Sequence, residues 1–190
     1  MKTALLSVYD KTGLVDLAHG LYRKGWRLIA SGGTAKCLEV AGLSVTSVSA
    51  YTNSPEILGG RVKTLHPIIA GGILAKDTSE DLTDLEKISA DFIDLVVCNL
   101  YPFQETVARL DISLSEAIEQ IDIGGVTLIR AAAKNFSRVT VLTDPLDYDP
   151  VMTAMNSEQG SFLDTRRQLA IKAFTLTSAY DAAIREYLDR

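Results

Sequence analysis

TALLSVYDKTGLVDLAHGLYRKGWRLIASGGTAKCLEVAGLSVTSV, running from Thr3 to Val48, is the stretch whose reading decides the fold. Ala4 to Val8 is a short apolar run and reads as a buried strand. Asp10-Lys11-Thr12-Gly13 is a turn with a helix start, after which Leu14, Leu17, Ala18 and Leu21 recur at helical spacing until Gly25 stops them. Trp26 to Ala30 is a second buried strand, Ser31-Gly32-Gly33-Thr34 a loop, and Ala35 to Ala41 a second helix closed by Gly42. Val45 to Val48 is a third short strand. Strand, helix, strand, helix, strand at this spacing predicts βαβ units and a parallel sheet.

The remainder extends the pattern. Ile68 to Leu74 is apolar with two glycines and is consistent with either a strand or a buried loop. Thr78 to Ala90 reads as a polar helix and Phe92 to Cys98 as a strongly buried strand. Ser113 to Gln120 is a short helix with Ser113 and Glu116 at capping-box spacing. Gly124-Gly125 opens a helix to Lys134, Arg138 to Leu142 is a last strand, and Asp147 to Met155 is a helix. From Phe162 to Leu188 the chain is one long helix whose apolar stripe includes Leu169, Ala173, Leu176, Tyr180 and Tyr187. The predicted fold is α/β: an open, mainly parallel sheet with helices on both faces, in one domain spanning residues 1–190. In such sheets ligands bind at the carboxyl ends of the strands. Tyr9 to Lys11, Ser31 to Thr34 and Asn99 to Tyr101 all fall there.

Bulk properties narrow the function. A chain that is 47% hydrophobic and 23% charged is an ordered globule. A net charge of −5 argues against a general nucleic-acid or membrane-surface binder, while leaving room for a local basic pocket. Two cysteines, Cys37 and Cys98, are too few for a disulfide framework or a zinc site, and a cytoplasmic setting is expected. No signal peptide or membrane span is legible, and no redox cofactor or metal is signalled.

Chemistry-bearing residues gather in a few stretches. Gly59-Gly60-Arg61-Val62-Lys63-Thr64-Leu65-His66-Pro67 puts two cations and a hydroxyl beside two glycines. If it is extended, Arg61 and Lys63 point the same way; alone it reads equally as a basic surface loop. Ser31-Gly32-Gly33-Thr34 lies where a helix start offers N–H groups to a phosphate, although it matches neither the P-loop nor the dinucleotide spacing and also reads as a capped turn. Asp122 stands just before Gly124-Gly125 and a helix start, and Arg130 and Lys134 share one face of that helix.

Taken together, Ser7 to Gly13, Ser31 to Ala35, Gly59 to Pro67, Cys98 to Phe103, Ile121 to Thr127 and Arg130 to Asn135 resemble inosine monophosphate (IMP) cyclohydrolase, the N-terminal domain of a bifunctional purine-biosynthesis protein that also carries AICAR transformylase. The resemblance spans essentially the whole chain in family order. It implies a methylglyoxal-synthase-like fold and a hydrolase run in the ring-closing direction, which converts formyl-AICAR to IMP with loss of water. Carried over residue by residue, it implies nucleotide and phosphate binding by Ser7, Tyr9, Asp10, Lys11, Ser31, Gly32, Gly33 and Thr34. It implies contacts to the base and ring-closing atoms from Arg61, Val62, Thr64, Cys98, Asn99, Ile123 and Gly124, and catalysis by Lys63, Tyr101, Asp122 and Lys134. On this reading Asp122 and Lys134 carry protons, while Lys63 and Tyr101 steady the oxyanion. Tyr9 and Phe136 depart from the family pattern, which often has serine and histidine there. The chain ends at Arg190, so a transformylase domain is expected to be absent. A homodimer and a separate transformylase protein are the expected partners, besides the purine nucleotides. A phosphate-eliminating lyase and a regulatory nucleotide-binding module on the same fold are the rival readings; the lyase gives no reason for Arg61-Val62-Lys63-Thr64 or Asp122-Ile123-Gly124-Gly125, and the module needs phosphate contacts but not the Lys63, Tyr101, Asp122 and Lys134 constellation.

Overall fold

The computed structural model describes residues 1–108, 112–155 and 162–189. In chain order the elements are β1 (Thr3–Ser7), α1 (Leu14–Arg23), β2 (Arg27–Ala30), α2 (Gly32–Val40), β3 (Thr46–Ser47), α3 (Val48–Thr52), α4 (Pro67–Leu74) and α5 (Ser79–Lys87). They continue with β4 (Leu95–Cys98), α6 (Phe103–Val107), α7 (Leu114–Glu119), α8 (Gly124–Lys134), β5 (Thr140–Leu142), α9 (Tyr148–Ala154) and α10 (Phe162–Leu188). Short 3-10 turns occupy Leu58–Gly60 and Pro145–Asp147.

The five strands form one sheet in the order β3-β2-β1-β4-β5, and every pairing is parallel. Leu5 on central β1 faces Ile29 on one side and Val96 on the other. All four residues of β4 are buried, as expected of a parallel strand covered on both faces. The chain steps one way from β1 to β3 and the other way from β4 to β5, so right-handed crossovers send the two sets of helices to opposite faces. Helix α10 packs on α8, β5 and α6. Its buried residues Leu169, Ala173, Tyr180 and Ala183 therefore spend much of the apolar stripe within the chain.

Three local expectations change. The third strand is shorter than Val45 to Val48, since Val48 opens α3. Residues 68–74 are helical: His66 is extended, its Nδ1 accepts the Ile68 N–H, and Pro67 sits where a helix needs no donor. The end of α4 is closed from a distance. Asn135 Nδ2 donates to the carbonyls of Ile73 (2.8 Å) and Ala75 (2.9 Å). The Arg138 guanidinium donates to those of Gly72, Ile73, Ala75 and Ile93 while lying 4.4 Å from the centre of the Phe92 ring. Helix α2, in turn, begins at Gly32 rather than Ala35, so the glycines form its first turn rather than a separate loop. The capping box at Ser113 and Glu116 forms as expected.

Arg138 thus donates to four backbone carbonyls, sharing those of Ile73 and Ala75 with Asn135 and that of Gly72 with the Ile93 N–H. Arg138→Ala is expected to lower unfolding stability by about 1–3 kcal/mol, because the Ile93 carbonyl loses its side-chain donor and those of Gly72, Ile73 and Ala75 each lose one of their donors. Arg138→Lys should recover only part of this, since an ammonium lacks the planar fork. Denaturant midpoints of the two variants check both statements; a midpoint unchanged in Arg138→Ala would contradict the assignment.

Candidate active site

Strands β1, β2 and β4 end side by side, and the loops leaving them are bonded to one another. Ser7 and Ser31 share a hydrogen bond of 2.7 Å between their hydroxyls. Thr34 Oγ1 accepts the Val8 N–H and donates to the Val8 carbonyl, each at 3.1 Å. Asn99 Oδ1 accepts the N–H groups of Tyr9 (2.7 Å) and Asp10 (3.0 Å), while its Nδ2 donates to the Asp10 carbonyl (3.0 Å). One amide side chain thereby fixes the loop after β1. Lys11 Nζ folds back onto the carbonyls of Val8 and Tyr9, which holds its charge beside the start of α2. Helix α2 opens with the N–H groups and positive dipole end that favour an anion.

The basic stretch is a tight turn rather than an extended strand. Leu58, Gly59 and Gly60 all have positive φ, Ile57 and Val62 exchange backbone hydrogen bonds, and Arg61 has helical dihedrals. Arg61 and Lys63 both reach the cleft by this curvature, and Arg61 Nε lies 3.7 Å from Glu119 Oε2.

Thr64 is buried and meets the start of α8. A Cβ on Gly124 would stand 2.7 Å from Thr64 Oγ1, and one on Gly125 would stand 2.5 Å from Asp122 Oδ2 and 2.9 Å from Leu100 Cδ2. Both glycines are there because side chains would push the flanking segments apart. Gly125 N–H donates to Asp122 Oδ1 at 2.7 Å, aiming the carboxylate. Burial pushes the Asp122 carboxyl above its ordinary value of 3.8, against the opposing pull of the Gly125 N–H and the Lys63 charge.

These groups line a cleft of about 730 Å³. Of the residues singled out in the sequence, Ser7, Tyr9, Lys11, Ser31, Gly33, Thr34, Arg61, Lys63, Thr64, Asn99, Tyr101, Asp122, Ile123 and Gly124 line it. Tyr9 and Tyr101 stand with ring centres 5.0 Å apart, tilted by 55°. Five others do not line it. Gly32 lies just behind, where a Cβ would be 3.8 Å from Lys63 Nζ. Val62 is committed to its bridge with Ile57. Asp10 is turned onto Thr12, whose N–H and hydroxyl hold its carboxyl below the ordinary value, and it borders a smaller cleft of about 460 Å³. Cys98 is buried beneath the floor, within 3.8 Å of the Gly125 carbonyl, and desolvation pushes its thiol up.

Lys134 is exposed on the last turn of α8. A helix leading into a parallel strand ends at the sheet's amino edge, and Asn135 and Arg138 beside Ile73 and Ile93 mark that edge. The cleft is at the other edge.

Glu56, Glu119 and Gln120 also line the cleft. Glu119 and Gln120 close a short amphipathic helix, and no spacing in the sequence ties that helix to Arg61. Among the described residues no group of three or more His, Cys, Asp or Glu side chains is arranged to hold a metal ion, and no helix is long and apolar enough to cross a membrane.

The electrostatics of Asp122 can be tested directly. Its carboxyl should titrate above 3.8, since desolvation of the anion is the largest influence on it. Removing the Lys63 charge (Lys63→Met) should move the midpoint further up, because a nearby cation favours the ionised form. Carboxyl-carbon NMR titration measures both; a midpoint at or below 3.8, or a downward move in Lys63→Met, would contradict this account.

Comparisons with known proteins identify the family. Residues 13–127 match the family described as MGS-like domain, and residues 132–190 match the AICARFT/IMPCHase bienzyme. The chain is 56% identical over 190 residues to the bifunctional purine biosynthesis protein PurH of Synechococcus sp. (strain CC9902), covering 98% of this chain and 36% of that protein. It is 54% identical over 189 residues to PurH of Pediococcus pentosaceus, covering 99% and 37%. The chain thus spans a little over a third of the length of these relatives. A solved structure described as the crystal structure of ForH superposes with a TM-score of 0.85 at 38% identity, covering 98% of each chain. The chain belongs to the MGS-like domain family, in the branch that continues into the AICARFT/IMPCHase bienzyme pattern.

Proposed function

We propose that residues 1–190 form by themselves a cytoplasmic IMP cyclohydrolase unit that closes the second purine ring, converting formyl-AICAR to IMP and water. The observation that carries the reading is the pairing of two chemistries in one cleft. Lys11 and the start of α2 suit an anion, and a half-buried carboxylate, Asp122, shares the same cleft with Lys63 and Tyr101. Similarity to PurH proteins supports the choice of purine nucleotide.

The reaction is intramolecular, so the substrate already supplies much of the orientation. Its difficulty is the weak nucleophilicity of a carboxamide nitrogen. Asp122, ionised but poorly solvated, takes a proton from that nitrogen as it attacks the formyl carbon. A carbon–nitrogen bond forms and the formyl carbonyl becomes an oxyanion. The Lys63 ammonium and the Tyr101 hydroxyl steady it. Proton return to that oxygen, with loss of the remaining proton on the ring nitrogen, expels water and restores the double bond. Lys11, Ser31 and Gly33 hold the phosphate, Thr34 ties the start of α2 to the Val8 backbone, and Asn99 keeps the Tyr9 loop in place.

Lys134 keeps a place in this chemistry only if a second copy of the chain brings it to the cleft. About ten residues of helix, roughly 15 Å, separate it from the start of α8. The homodimer and the catalytic role of Lys134 therefore stand together.

Pure protein incubated with formyl-AICAR should give the absorbance change of ring closure, and a chelator should leave the rate unaltered. Asp122→Asn should lower kcat by roughly 10²-fold or more. Absence of turnover in the wild-type chain, or wild-type kcat in Asp122→Asn, would refute the reading. Mixing Asp122→Asn with Lys134→Ala protein should regain activity above that of either alone, since mixed dimers would contain one intact site. No gain on mixing, with Lys134→Ala still active, removes Lys134 from the mechanism.

A further inference from the structure

Asp122 stands on a connection between α7 and α8, and a catalytic carboxylate on a connection keeps its aim only if the backbone beneath it is held. The grip comes from far away in sequence. Tyr180 on α10 accepts the Asp122 N–H at 2.8 Å, and the same hydroxyl donates to the Gln120 carbonyl at 3.2 Å. One phenol thus closes the backbone on both sides of Ile121. Tyr180 is only 8% exposed, and its ring packs edge-on to Phe103, with centres 6.1 Å apart. Phe103, itself 1% exposed, opens the helix that follows Tyr101 and Pro102. A single apolar cluster of Phe103, Tyr180 and Ala183, with Ile121 packed against it, therefore lies under both the Asp122 and the Tyr101 segments.

Tyr180 is not among the residues lining the cleft, so it has no contact through which to act on the substrate itself. The side chain of Asp122 is aimed separately, by the Gly125 N–H. That bond holds the carboxylate relative to α8, whereas Tyr180 holds the peptide that carries it relative to α10. Fixing both is what a proton-transfer group needs, because small misplacements of a reacting group are costly in rate.

We propose that Tyr180 is a positioning residue for the proton transfer at Asp122: its hydroxyl locks the Gln120–Asp122 backbone so that the carboxylate meets the substrate nitrogen. This rests on the reading of Asp122 as the base.

Tyr180→Phe tests it, since the ring and its packing on Phe103 are retained and one oxygen is removed. In the full chain kcat with formyl-AICAR should fall about tenfold or more, the scale of a displaced reacting group. KM should stay within about twofold, because ground-state binding is left in place. IMP affinity, measured by calorimetry, should be unchanged, and unfolding should remain a single cooperative transition. In an Asp122→Asn background, any residual turnover should show no further loss from Tyr180→Phe, because the two residues act as one unit. Unchanged kcat in Tyr180→Phe would overturn the proposal. So would the same fold-loss in both backgrounds, or a loss of IMP affinity matching the loss of kcat, which would mark a purely structural role. Failure of the underlying reading looks different: Asp122→Asn would then keep wild-type kcat, whatever Tyr180→Phe does.

Discussion

Five strands running the same way leave all their carboxyl ends on one edge, and the rest of the molecule follows from that constraint. Each crossover must return over a face of the sheet, so helices that run straight from one strand to the next, such as α1, α2 and α8, start at the carboxyl edge and end at the opposite one. Amino ends of helices, with their unpaired N–H groups, collect where the strands stop. That edge is the natural place for an anionic substrate. The price of the arrangement is a set of loops with no sheet partners of their own, and side chains take over. Asn99 is suited to this because an amide both donates and accepts, so it can satisfy two N–H groups and a carbonyl of the neighbouring loop. Its counterpart at the amino edge is the Asn135–Arg138 pair, which closes α4.

The chain carries a net negative charge, yet its cleft is mixed in sign. Lys11, Arg61 and Lys63 share it with Glu56, Glu119 and Asp122. The acids keep the cations from acting as an indiscriminate anion trap, and Glu119 is close enough to Arg61 to help orient it. Asp122 is held between opposing influences. Burial favours its neutral form, while Lys63 and the Gly125 N–H favour the anion. A carboxyl pushed up in that way is a stronger base than a solvated one.

Much of this was legible in the residues themselves, and the exceptions have physical causes. The strands around Leu5, Ile29 and Val96 announce themselves as short apolar runs because parallel strands are buried on both faces. The loops after them are legible by the same logic, since polar residues just beyond such runs fall at one edge. Helix α4 was hidden. Ile68 to Leu74 is apolar nearly all round, which erases the helical period, and the donors that finish it lie more than 60 residues away at Arg138. The early start of α2 was hidden too, because Gly32 and Gly33 are poor helix formers that tertiary contacts override. Lys134 shares a helix with the residues beside Asp122, but chemistry-bearing residues at two ends of one crossover helix face opposite edges of the sheet. Tyr180 had no local signal at all: within its own helix it is one more apolar position, and only the packing of α10 reveals its hydroxyl under Asp122.

The strand order also bears on how the chain leaves the ribosome. Central β1 is made first, and β2 can join one of its edges once residue 30 has emerged. The other edge stays bare until residues 95–98 are synthesised, because its partner is β4. At translation speeds of about 5–20 residues per second, that interval lasts seconds. During it a nascent chain displays Ala4, Leu5 and Leu6 beside an unpaired row of backbone donors and acceptors, the kind of edge that recruits other strands. The long wait for β4 leaves the growing polypeptide open to wrong pairing at that edge, well before any cleft exists.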